Sequence, residues 1–156
     1  MVKSVSASGI RAVAPGLEEH GDYDNAVGIV EFYGGKVAYF FCSRMMAHGQ
    51  EDTTEIIGTE GKLSVNGNPQ ANLVNIFSPA GVTREVPPHY YGRFEHAFVQ
   101  EANEWTTACL EGTRLPMELT GALRAVEIGS YLQEAVRTGR KLYFSETGAR
   151  VERASL

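Results

Sequence analysis

The chain has 156 residues, 43% hydrophobic and 21% charged, a size and balance suited to one globular core that buries about 70% of its unfolded surface. Its 14 Lys and Arg against 19 Asp and Glu leave a net charge of −5, and the basic residues are scattered, which argues against nucleic acid or an anionic membrane as partner. No stretch approaches the roughly 20 consecutive apolar residues that span a bilayer.

The N-terminus, Met1-Val2-Lys3-Ser4-Val5-Ser6, alternates apolar and polar residues and lacks the apolar core of a signal peptide, so it reads as a strand in a cytoplasmic protein. One strand is expected over residues 2–13, followed by a polar connection through Pro15-Gly16 and residues 18–22. Asp22, Tyr23, Asp24 and Asn25 look like a turn leading into a strand rather than paired catalytic carboxylates, because nothing nearby in sequence splits their pKa values. Residues 26–33 and 36–42 are strand-like runs around Gly34-Gly35, the pair a two-residue primed turn prefers because both positions need positive φ. A second hairpin is expected over residues 53–57 and 62–65, around Gly58-Thr59-Glu60-Gly61, and a third over residues 73–77 and 82–86, around Ser78-Pro79-Ala80-Gly81. Seven strands in sequence predict one large antiparallel sheet.

From Phe94 the period changes. Phe94, Phe98, Trp105 and Cys109 share one helical stripe that Glu111-Gly112 ends. Pro116 opens a second helix, with Leu119, Ala122, Leu123, Val126, Gly129 and Val136 along its apolar arc, and Thr138-Gly139-Arg140 stops it before a last short strand over residues 141–144. Strands first and helices last make the fold class α+β: a large open antiparallel, or mixed, sheet with two C-terminal helices packed on one face. The other face is left for a partner, and a homo-oligomer is the simplest solution. Cys42, in an apolar run, and Cys109, on a helical face, read as buried free thiols rather than a disulfide or metal pair.

No GxGxxG dinucleotide turn, HExxH, GxSxG or Cys/His metal spacing occurs. Gly58-Thr59-Glu60-Gly61-Lys62 superficially resembles a phosphate loop, but its spacing and flanking strands make it a hairpin turn. Two polar clusters remain. Residues 43–52 follow a strand, where Arg44 suits an oxygen-rich ligand and His48 and Gln50 suit hydroxyls; the alternative is a solvated loop with a structural salt bridge. Residues 87–94 form an extended entry to a helix, carrying Tyr90, Tyr91 and Arg93, whose rings and cation suit a polyol; the alternative is packing on the sheet edge.

The order of elements and several strings resemble the C-terminal domain of the Gfo/Idh/MocA oxidoreductases, most closely the inositol 2-dehydrogenase-like branch. The strings are Asp24-Asn25-Ala26, Ser43-Arg44, residues 55–63, Arg93-Phe94-x-x-Ala97-Phe98-x-x-Glu101, Ala125-Val126-Glu127-Ile128 and Thr138-Gly139-Arg140. The resemblance implies a single substrate-binding and oligomerisation domain over residues 1–156, of an enzyme oxidising a secondary alcohol of an inositol or sugar by hydride transfer to NAD or NADP. It also implies that the Rossmann domain, the Lys of a Glu-Lys-Pro motif and the catalytic Asp and His lie outside these residues. No residue here is then catalytic or cofactor-binding, no cofactor is expected for this chain alone, and the chain is expected to be inactive by itself. Arg44, His48, Gln50, Tyr90, Tyr91 and Arg93 are the candidate substrate contacts. His48 and Gln50 depart from family members that carry tyrosines in the matching loop. A stand-alone dimerisation or ligand-binding protein, and a half-enzyme completed by a separate chain, are the alternatives.

Overall fold

The computed structural model describes residues 1–67, 69–115 and 117–152. In chain order they form β1 (Val2–Ile10), a 3₁₀ turn (Pro15–His20), β2 (Asn25–Phe32), β3 (Val37–Ser43), β4 (Thr54–Ile57), β5 (Lys62–Val65), β6 (Asn75–Ser78), β7 (Gly81–Arg84), α1 (Tyr90–Glu111), α2 (Leu119–Thr138), β8 (Leu142–Phe144) and β9 (Arg150–Val151). The proposed helix opener Pro116 lies outside the described residues. The chain divides into two units, Met1–Met45 with Met117–Leu156, and Met46–Pro116.

In the first unit five strands form one antiparallel sheet in the order β3-β2-β1-β8-β9. Gly34 (φ 85°) and Gly35 (φ 80°) close the β2–β3 hairpin in the left-handed conformation anticipated from their sequence. Helix α2 packs its C-terminal half on the sheet. Val5, Val30, Ala135, Leu142 and Phe144 make the core, and Ile128, Tyr131 and Leu132 pack against it. The approach is close because two strand positions lack a side chain: a Cβ on Gly28 would lie 2.4 Å from Leu132 Cδ2, and one on Gly9 would lie 2.8 Å from Tyr23 Cγ and 3.0 Å from Val136 Cγ2. Gly139 (φ 65°) ends the helix, and a two-pronged Arg150–Glu134 ion pair, both contacts 2.7 Å, ties β9 to it.

The opposite face of this sheet is apolar and open. Val27 and Ile29 of β2, beside Val37, Tyr39 and Phe41 of β3, are 40% to 67% exposed, while the alternate residues Gly28 and Val30 are buried.

The second unit departs from the expected seven-stranded sheet. Strands β4 and β5 pair only with each other among the described residues, as do β6 and β7. Each ladder is four residues long and closes through its own turn, so local pairing satisfies the backbone without a longer sheet. Ile56, Ile57, Leu63, Val65 and Phe77 are exposed, as are Phe98 and Trp105 on the apolar stripe of α1. The two cysteines are free as expected, but both are exposed rather than buried. Cys42 lies on β3, the end strand of the five-stranded sheet, and Cys109 lies on α1, none of whose residues is buried, so neither environment encloses a thiol.

Replacement of Gly9 by Ala forces the Tyr23 ring and Val136 to move, and overpacking of this kind costs about 1–3 kcal/mol. Urea unfolding of Gly9→Ala is expected to show a lowered midpoint with an unchanged slope.

Candidate functional site

Strand β3 ends at Ser43, and the next residue, Arg44, is exposed. Its backbone is held from the neighbouring strand: the Arg44 N–H donates to the Asp24 carbonyl at 2.8 Å. Asp24 is only 2% exposed. Its carboxylate accepts the backbone N–H groups of Ala12, Val13 and Ala14 at 2.8–2.9 Å and the Asn25 amide at 2.7 Å. Those backbone donors, led by Ala12 and Val13, hold the Asp24 pKa far below the usual carboxylate range against the opposing effect of burial. The carboxylate also explains why β1 stops at Ile10 instead of running to residue 13: the N–H groups of residues 12–14 turn inward to Asp24.

In the second unit, residues 46–52 dock on the segment that enters α1. The Gln50 N–H donates to the Pro87 carbonyl at 2.6 Å. Gly49 lies at φ 128°, and a Cβ there would stand 2.6 Å from the same carbonyl oxygen, so glycine is required by both conformation and space. The Asn66 side-chain amide donates to the Asp52 carbonyl at 3.0 Å and the Gln50 amide to the Asp52 carboxylate at 3.0 Å. His48 Nε2 meets the Glu51 carboxylate at 2.8 Å while the imidazole remains half exposed.

The other candidates in this unit do not lie on an extended entry. Helix α1 begins at Tyr90, four residues before the apolar stripe starts, because His89 acts as the N-cap: its Nδ1 accepts the Gly92 N–H at 3.3 Å. A kink at Phe94 (φ −116°, ψ 16°) marks the point where the regular stripe takes over. Tyr90 and Tyr91 stack with ring centroids 4.2 Å apart, and Phe98 meets Tyr90 edge-on at 6.4 Å. Hydrogen bonding with Tyr91, then burial, raises the Tyr90 phenol pKa. The Arg93 guanidinium lies 5.1 Å from the centre of the Phe94 ring, and its Nε is buried without a hydrogen-bond partner, an unsatisfied donor.

Five of the six candidates are thereby linked through Pro87: His48 and Gln50 on the docked loop, Tyr90 and Tyr91 on the helix three residues further on, with Arg93 in the same turn. Arg44 belongs to the first unit and is held there by Asp24. Sequence reading missed Glu51 and the structural role of Asp24. Glu51 was signalled by its spacing of three from His48, whereas the partners of Asp24 lie 10–12 residues away and leave no local pattern. No group of three or more His, Cys, Asp or Glu capable of holding a metal occurs among the described residues, and none of the described helices is long and apolar enough to cross a membrane.

Residues 1–64 match the GFO/IDH/MocA C-terminal domain. The chain is 28% identical over 138 residues to scyllo-inositol 2-dehydrogenase (NAD(+)) of Bacillus subtilis, covering 88% of this chain and 40% of that protein. It is also 26% identical over 148 residues to the uncharacterised oxidoreductase YrbE of the same organism, covering 94% of this chain and 43% of the relative. Its fold superposes on scyllo-inositol dehydrogenase of Lactobacillus casei bound to NAD(H) and scyllo-inositol with a TM-score of 0.84 and 25% identity, over 91% of this chain and 42% of the other. The fold of myo-inositol 2-dehydrogenase from Lactobacillus plantarum matches with a TM-score of 0.85 at 22% identity, over 92% of this chain and 42% of the other. The chain thus spans well under half the length of these proteins.

Gly49→Ala is expected to undock the 46–52 loop, seen as faster hydrogen exchange of the Gln50 amide, with a stability loss of about 1–3 kcal/mol. Asp24 generates a pH prediction. Its native pKa is depressed, so its stabilising contribution is complete above the ordinary carboxylate pKa of about 3.9 and is lost as pH falls below that value toward the native one. The gap in unfolding midpoint between the wild-type chain and Asp24→Asn should therefore be widest near pH 7 and should narrow below about pH 4.

Proposed function

We propose that this chain, whose residues 1–64 match the GFO/IDH/MocA C-terminal domain and which is similar to inositol dehydrogenases, is the substrate-binding and oligomerisation part of an NAD(P)-dependent dehydrogenase. The enzyme would act on a secondary alcohol of an inositol or related sugar ring. The observation that carries the reading is the docking of the 46–52 loop at Pro87, which gathers donors and aromatic rings from two segments in one unit.

A cyclic polyol presents hydroxyls that both donate and accept around its rim and C–H groups on its faces. The stacked Tyr90 and Tyr91 rings suit those C–H faces. The Arg93 guanidinium carries terminal N–H donors for a hydroxyl oxygen, and the amide of Gln50 reads either polarity. His48, oriented by Glu51, offers a ring nitrogen whose partner fixes its direction. The groups of the second unit suit a hydroxylated ring; they do not make the glycine-rich cradle that a pyrophosphate needs. Arg44, at the end of β3 in the first unit, is a separate candidate contact for an oxygen-rich ligand. NAD or NADP, when bound, accepts the hydride from the carbinol carbon. Its site and the acid–base groups belong to a Rossmann half, encoded in the same protein or in a separate chain.

The apolar face made by Val27, Ile29, Val37, Tyr39 and Phe41 supports the second half of the reading, since a stripe of this kind pairs with its own copy at small cost.

Light scattering on the purified chain should give an oligomer, and Ile29→Lys with Tyr39→Lys should give a monomer. Calorimetric titration with scyllo- and myo-inositol should show weak binding that Arg93→Ala weakens further by about tenfold, the effect of losing one hydrogen bond worth ~1.4 kcal/mol. Binding of NAD or NADP to this chain tighter than about millimolar would overturn the division of labour.

A further inference from the structure

Three side chains in the first unit form a hydrogen-bonded chain with one possible polarity. The Asp24 carboxylate is held ionised by three backbone N–H groups, so it accepts only. Asn25 must then turn its NH₂ group toward Asp24, which it meets at 2.7 Å, and its carbonyl oxygen toward Ser43. The Ser43 hydroxyl consequently donates its proton to Asn25 Oδ1, at 2.5 Å, and keeps a lone pair for the Met45 N–H, which donates to it at 2.9 Å. Asn25 and Ser43 are directly opposed in the β2–β3 register. The backbone N–H of Arg44 is taken by the Asp24 carbonyl at 2.8 Å. The amide before Arg44 and the amide after it are therefore both tied, and both ties lead back to one residue.

We propose that Asn25 and Ser43, keyed by Asp24, are positioning residues that fix the backbone on both sides of Arg44 and so aim its guanidinium at the ligand. The proposal rests on the reading of Arg44 as a ligand contact. An exposed arginine on a free strand end samples many rotamers and many backbone angles, and each must be given up when a ligand binds. Holding φ and ψ of Arg44 in advance removes the backbone part of that loss and leaves the side chain alone to order. The network belongs to strand ends rather than to the hydrophobic core, so its removal acts locally.

Ser43→Ala removes the hydroxyl, Ser43→Thr retains it, and Asn25→Ala removes the acceptor while leaving the hydroxyl in place. Amide hydrogen exchange and ¹⁵N relaxation on the full 156-residue chain read the hold directly, and the Arg44 Nε–H resonance titrated with scyllo-inositol reads its use. Ser43→Ala should speed exchange at Met45 by about tenfold or more, the equivalent of one lost hydrogen bond. It should raise the mobility of the Arg44 side chain and leave amides of α2 unchanged. Ser43→Thr should restore both. If Ser43→Ala does not fold, Asn25→Ala serves the same readout. Unchanged exchange at Met45, or a rise spread evenly over the whole sheet, overturns the proposal. A local response with no inositol-induced shift at Arg44 in the wild-type chain supports the hold but removes Arg44 from the ligand site, which separates failure of the functional reading from failure of this one.

Discussion

A carboxylate withdrawn from water must find donors for its lone pairs, and Asp24 finds them in the three consecutive N–H groups of residues 12–14 and in the amide of Asn25. The constraint acts in both directions. Without the carboxylate those backbone groups would be orphaned in a half-buried turn; without the turn the charge would be buried and unpaired. Because the main chain of Asp24 also receives the Arg44 N–H, one residue sets the end of β1, the start of β2 and the end of β3. The strand-end position of Arg44 follows from this arrangement rather than from the hydrophobic core, which lies under α2.

The packing of α2 illustrates a second economy. Glycines at positions 9 and 28 let Tyr23, Val136 and Leu132 approach the sheet to distances a side chain would forbid, and the five fully buried apolar residues gather under that contact. The sheet is left apolar on its other face, and the four-residue hairpins of the second unit expose apolar side chains of their own. An isolated two-stranded hairpin is marginal in water, and exposed apolar surface of this kind gains from being covered.

Stacked tyrosines, a buried unpaired arginine Nε and an imidazole oriented by a carboxylate are the polar and aromatic groups of the segments that meet at Pro87.

Several features were legible in the residues because their causes are local. Gly34-Gly35 dictates a primed turn wherever two strands flank it, Gly112 and Gly139 end helices by adopting positive φ, and the change from period two to helical spacing separates strands from helices. The α+β class rests on such signals. What tertiary structure alone decided depends on partners distant along the chain or on geometry without a sequence signature. Helix α1 starts at Tyr90 because a histidine caps it, a residue outside the usual capping set, so the entry segment read as extended is helical from Tyr90 onward. Strands β4 to β7 close on their own neighbours, since a period of two states which face a residue takes but not which ladder it joins. The loop carrying His48 and Gln50 meets the entry to α1 through one backbone hydrogen bond 37 residues apart, and Asp24 reaches across 10–12 residues to the turn it holds. Local spacing specifies conformation, and only the folded backbone brings donors and acceptors of remote segments within the 3 Å at which they act.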